Sequence, residues 1–176
     1  VNYGGKWWNG SGNGSNRLFK GWYEMRRRGF EIAKGWENKN INLPVRKTKF
    51  SVGYDIEAAE DVVIHPFKLG DKPVLVPTGL KAYCQPDEWY MLANRSSNPF
   101  KRGLVLANGI GLIDCDYYGN PDNDGHMMFA YYNFFDQDVL IKKGDVVGQA
   151  VFLKYLITDD DLAEGVRQGG FGSTNK

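Results

Sequence analysis

NGIGLIDCDYYGN, running from Asn108 to Asn120, sets the terms for the whole chain. Small and apolar residues lead from Gly109 through Ile113, and an aspartate, Asp114, sits between Ile113 and Cys115. Two tyrosines and a Gly-Asn turn follow. The segment predicts a hairpin whose first arm ends at Asp114. Gly109 and Gly111 let a flat ring lie against the backbone, whose N–H and C=O groups can then pair with its edge. Tyr117 can stack under a sugar or base. The Asp114 carboxylate can take a proton from an attacking water. An ordinary turn aspartate in a structural hairpin explains the same letters.

Working outward, the rest of the chain is strand-like. Apolar runs at 62–64, 74–83, 89–94, 104–107, 127–135 and 146–156 are separated by His65-Pro66, Gly70-Asp71, Pro86-Asp87-Glu88, Gly119-Asn120 and Lys143-Gly144-Asp145. Several runs are nearly continuous in apolar residues, which suits strands covered on both faces. Aromatic residues make up 14% of the chain and there are 22 glycines, again favouring strands and tight turns. One short helix is predicted over 97–103, with Ser97 or Asn98 as cap, Pro99 early and Gly103 as terminator. No long amphipathic helix occurs, which disfavours Rossmann and four-helix architectures.

The totals exclude several function classes. The 176 residues suit one domain, and a formal net charge of +1 gives no broad footprint for nucleic acid. Cys84 and Cys115 form no CxxC pair, and His65 and His126 form no ligand pair. Reduced thiols in a cytoplasmic protein are the expectation, with no membrane-spanning run. Residues 1–24, with the NGSGNGSN stretch and Trp7-Trp8, read as a flexible appended or upstream extension; an aromatic docking arm is the other reading. The domain proper is expected over 25–163, with a glycine-rich lid at 164–176.

Four further segments share the hairpin's mix of turns and polar groups. GYDIEAAED spans 53–61, and RSSNPFKRGL spans 95–104. KKGDVVGQAVF spans 142–152, and RQGGFGST spans 167–174. Arg95 offers a planar fork for an oxyanion, Ser96 and Ser97 add hydroxyls, and the helix start adds free amides. The last segment reads as a disordered tail or as a lid closing over ligand, with Phe171 the apolar contact and Arg167, Ser173 and Thr174 facing phosphate.

In this order, the five segments resemble the motifs of the trimeric dUTP pyrophosphatases (dUTPases), from about Leu43 to Thr174. RSSNPFKRGL and DYYGNP look most like the version from Gram-positive bacteria and their phages. The resemblance implies an all-β, jelly-roll-like β-barrel with one short helix. It implies a homotrimer with active sites shared between subunits, and hydrolysis of dUTP to dUMP and pyrophosphate, which keeps uracil out of DNA and supplies dUMP for dTMP synthesis. It makes Asp114 the activator of the water and Tyr117 the residue under the deoxyribose. Asn108, Gly111 and Ile113 fall at the uracil hairpin. Arg95, Ser96, Ser97 and Gln149 fall at phosphate, and Phe171 over the base. Arg167, Ser173 and Thr174 come from the closing tail, and Asp55 supports the metal and phosphate region. Mg2+ is implied, held by the triphosphate and water rather than by protein. Here Arg167 precedes Phe171 by four residues, where the family pattern RGxGGFG has five. A dCTP deaminase of the same fold is the nearest alternative, but the hairpin lacks a glutamate for that reaction. A nucleotide-switched regulator binding a protein partner, as in phage relatives, is the other.

Overall fold

The computed structural model describes residues 26–170. The N-terminal extension and the tail residues Phe171, Ser173 and Thr174 lie outside the described residues.

Among the described residues, eleven strands and one helix follow the order β1 (Gly29–Ile32), β2 (Tyr54–Glu57), β3 (Val62–Ile64), β4 (Val74–Pro77), β5 (Leu80–Tyr83), β6 (Glu88–Asn94), α1 (Asn98–Arg102), β7 (Leu104–Leu106), β8 (Gly111–Asp114), β9 (Met128–Asn133), β10 (Val139–Ile141) and β11 (Val146–Lys154). All ladders are antiparallel. The largest sheet runs β2-β11-β6-β8, and a second runs β4-β9-β7. The pairs β1-β5 and β3-β10 complete the frame. Alternate residues of β6 and β9 point inward: Tyr90 and Leu92 from one, Phe129 and Tyr131 from the other. They meet Ile56, Val76, Leu80, Leu104, Ile141 and Val147 in one apolar core. Among the described residues this is the all-β, jelly-roll-like arrangement with one short helix that the family resemblance implies.

Three local expectations change. The run 74–83 is not one strand. Its chain leaves the β4 sheet at Thr78-Gly79 and joins β1 as β5. Gly79 makes the corner with φ +68°, which side chains rarely tolerate. The buried Thr78 hydroxyl fixes it, donating to the Met127 carbonyl at 2.7 Å and accepting from the Leu80 amide at 3.2 Å. The hairpin at 108–120 is not self-paired. β8 pairs with β6 instead, Asp114 standing opposite Trp89 and Gly111 opposite Leu92. After Asp114 the chain tightens into a 3-10 turn over Cys115–Tyr117.

The helix forms where expected and ends at Gly103 with φ 63°. Its cap differs: no side chain caps the first turn. Asn98 is buried and donates instead to Asn94 Oδ1 and to the Val147 carbonyl, both at 2.8 Å. Tyr131 donates to the same carbonyl at 2.7 Å. A buried amide with both donors satisfied is a rigid tie, and it fixes Arg95–Ser97 against the start of β11.

Candidate active site

β8 is the edge strand of its sheet, so among the described residues one side of its backbone has no ladder partner. Such an edge presents N–H and C=O groups in register for another extended or planar hydrogen-bonding partner. Beside it lies a cavity of about 250 Å³, lined by Asn108, Gly111, Leu112, Ile113, Asp114, Tyr117, Arg167 and Gly170. A side chain at Gly111 would come to 3.0 Å from Leu92 Cβ, so glycine keeps the strand close to β6. Asn108 and Gly109 make the approach turn, with Gly109 at φ +70°.

Tyr117 forms the wall. Its side chain is buried, and its hydroxyl accepts from Asn123 Nδ2 at 2.7 Å and donates to the His126 carbonyl at 3.2 Å. The turn beneath is built by asparagines. Buried Asn120 donates to the Tyr117 carbonyl at 2.8 Å and accepts from the amides of Asp122 and Asn123. Gly125 must be glycine: a Cβ there would meet the Tyr117 carbonyl at 2.8 Å, at φ +83°. Burial pushes the Tyr117 pKa up, so the phenol stays neutral. The ring is therefore a fixed platform rather than an acid.

Asp114 stands at the cavity mouth with its side chain half exposed. It is paired with Arg167 Nη2. Arg167 Nε donates to Asp116 Oδ1 at 2.6 Å. The arginine expected at phosphate thus rests between two carboxylates. Asp116 was not singled out from sequence; its only signal was the Asp-Cys-Asp alternation. Cys115 lies between them, and burial pushes its pKa up. Burial also pushes Cys84 up to about 12. Both remain thiols at neutral pH, which leaves no thiolate nucleophile beside Asp114.

The remaining predicted residues sit elsewhere on the same sheet. Asp55 and Gln149 face each other across β2 and β11. Gln149 Nε2 donates to Asp55 Oδ1 at 3.0 Å. Arg95, Ser96 and Ser97 follow β6 at the same end, where Asn94 pairs with Gly148. Asp114 stands level with Leu153 of β11, four residues along from Gln149 and two strands across. Strand rise and spacing put the two backbones roughly 16 Å apart. One chain therefore brings together Asn108, Gly111, Ile113, Asp114, Tyr117 and Arg167, and separately Asp55, Gln149 and Arg95–Ser97.

The family pattern for dUTPase matches residues 39–175. A deoxyuridine 5'-triphosphate nucleotidohydrolase from Lactococcus lactis is 51% identical over 152 residues, 85% of this chain and 99% of that protein. The crystal structure of the dUTPase from Streptococcus mutans, 45% identical, superimposes with a TM-score of 0.69 over 74% of this chain and 98% of that one. The dUTPase of phage phi11 of S. aureus, 19% identical with a TM-score of 0.62, shares the fold over 84% of this chain and 99% of its own. The chain belongs to the dUTPase family. Within that family it goes with the Gram-positive type.

Proposed function

We propose that the chain is a dUTP diphosphatase, cleaving dUTP to dUMP and pyrophosphate with Asp114 as general base. The observation that carries the reading is the single cavity that joins a free strand edge, the Tyr117 platform and the Asp114 carboxylate. Uracil pairs with the backbone edge between Gly109 and Ile113, and deoxyribose lies against Tyr117. A 2′-hydroxyl would meet that fixed ring, so ribonucleotides are refused. Asp114 takes a proton from water as its oxygen bonds to the α-phosphorus; the bond from that phosphorus to the bridging oxygen breaks, and pyrophosphate leaves.

The assembly is a homotrimer with shared sites. Roughly 16 Å separates Asp114 from Gln149 within a chain, so one nucleotide reaches both only across a subunit boundary. The sheet face between them supports this. Trp89, Met91, Leu112, Val151 and Leu153 point to its outer side and leave it apolar. An apolar face of that kind marks a protein contact. A neighbour then supplies Arg95, Ser96, Ser97 and Gln149 to the phosphates, with Asp55 orienting Gln149. Phe171, Ser173 and Thr174 complete the closed tail.

Mg2+ fits this donor set as a water-retaining ion. Among the described residues no group of His, Cys, Asp and Glu forms a ligand cluster, and a hard ion held by phosphate oxygens and water needs none. When bound it offsets charge on the leaving pyrophosphate. The Asp55 carboxylate, which accepts from Gln149 on one oxygen, would offer its other oxygen to the ion's water shell. We assign the reaction to the cytoplasm, in keeping with two free thiols.

A deaminase is not favoured. Glu88 is buried against Arg28, and Glu31 accepts from the Tyr118 hydroxyl; neither lines the cavity. Incubation with dUTP and dCTP, reading pyrophosphate and ammonia, tests the assignment. Pyrophosphate from dUTP alone is expected, and ammonia from dCTP would overturn it.

A further inference from the structure

After β11 the described chain is held to the domain first by Tyr155, which bonds to Pro86 and Asp87, and again at Arg167–Gly170. Leu156, Leu162 and Val166 are exposed along the way. Arg167 is then held, its side chain only 17% exposed, and Gly169 and Gly170 are buried. The guanidinium donates to Asp116 Oδ1 and Asp114 Oδ2, and its third nitrogen donates to the Gly169 carbonyl at 3.3 Å. Gly170 lies against Tyr117, where a Cβ would come to 2.7 Å from Cε2. Arg167 and Asp114 line two cavities at once, the nucleotide pocket and an apolar space of about 570 Å³ beside Trp89 and Tyr155.

We propose that Asp116 is a positioning residue that latches Arg167 onto Asp114 when no nucleotide is bound. The inference rests on Asp114 being the general base. A planar guanidinium offers donors on adjacent edges, so two carboxylates can share it. Asp114 ends the extended strand and Asp116 lies in the turn that follows; that change of backbone brings both carboxylates to one arginine. In the latched state the Asp114 carboxylate is occupied by the guanidinium, and Arg167 and Gly170 lie against the chain's own pocket. A triphosphate offers the arginine more charge than the carboxylates do. Arrival of substrate therefore draws Arg167 away and frees Asp114 in the same event. Until then the latch lowers apparent affinity in proportion to the latched fraction.

Arg167 is itself a trypsin site, and a paired guanidinium cannot enter the protease. In the nucleotide-free full chain, Asp116→Asn should speed cleavage of the Arg167–Gln168 bond about 1.5- to fivefold, the range for losing one partly exposed ion pair. KM for dUTP should fall by a similar factor, with the effect on KM rather than kcat. Asp116→Glu should restore both values. Unchanged cleavage overturns the latch, as does a KM that rises. The protease comparison needs no turnover: a wild-type chain that releases no pyrophosphate refutes the proposed function, while the cleavage ratio judges the latch alone.

Discussion

The two ends of the four-stranded sheet are built on opposite plans. At the β8 end an edge strand, a 3-10 turn and an asparagine-lined loop leave open space and a half-exposed carboxylate. At the β2 end, Gln149 is bonded to Asp55, and the neighbouring helix start is tied down by buried Asn98. The first end is made to admit a ligand; the second holds polar groups still. On the proposed reading, each is half of a site. Catalysis gains from groups placed before the reaction begins, and on that reading the placement requires a second chain.

Mixing chains is the sharpest way to break this view. Asp114→Asn alone should retain dUTP binding and lose hydrolysis by about three orders of magnitude, the scale for removing a positioned base. Arg95→Ala should be similarly crippled through phosphate. If each site draws Asp114 and Arg95 from different subunits, equal mixing of the two dead variants, with subunit exchange, regenerates about a quarter of the sites by symmetry. A mixture as dead as its components would place both residues in one chain's site. Pyrophosphate release against the fraction of each variant measures it.

The same small substitution at the two ends should give unequal losses of stability. A Cβ on Gly148 would lie 2.2 Å from Phe129 Cε1 and 2.8 Å from the Ala93 carbonyl. Phe129 is fully enclosed and cannot yield, so Gly148→Ala should cost about 3 kcal/mol by overpacking. Gly111→Ala meets only the Leu92 side chain, at 3.0 Å, and should cost about 1 kcal/mol while weakening nucleotide binding. Urea unfolding ranks them; equal losses would show that the Gly148 end is as yielding as the pocket.

What the sequence made legible follows from how far each signal reaches along the chain. The strands β6, β7 and β11 and the lone helix were read because apolar runs, Pro99 and Gly103 act locally. The corner at Thr78-Gly79 was missed because Val74–Tyr83 is apolar throughout, and only a buried hydroxyl and one positive φ reveal the change of sheet. β1, β2 and β10 were missed: Gly29–Ile32 and Tyr54–Glu57 interleave acidic with apolar residues, and Val139–Ile141 is a short apolar run hemmed in by Asp138 and Lys142. At the site, Asn108, Asp114 and Tyr117 were singled out by their segment. Asp116 and Asn123 were not, and Asn98 reads as a cap rather than a tie to β11, because their partners, Arg167, the Tyr117 hydroxyl and the Val147 carbonyl, are fixed only by the fold. The separation of Asp114 and Tyr117 from Asp55 and Gln149 on one sheet depends on strand order, which local periodicity does not encode.

The smallest effect concerns how the Tyr117 platform is supported from behind. His126 accepts the Gly79 amide on Nε2 at 3.0 Å, and its ring packs on Trp36 at 5.1 Å. Burial lowers its pKa from 6.5. The unfolded chain therefore binds the proton more readily than the fold does. Stability from this group is complete above about pH 6.5 and is lost as pH falls through the lower folded value. Protonation also removes the acceptor for Gly79, at the corner that feeds β5, and the His126 carbonyl is the one Tyr117 donates to. His126→Gln keeps an acceptor without the titration. Between pH 7.5 and 5.5 the wild-type melting temperature should drop by a few degrees more than that of the variant. Parallel pH profiles would show that His126 is not the group through which acid reaches the pocket.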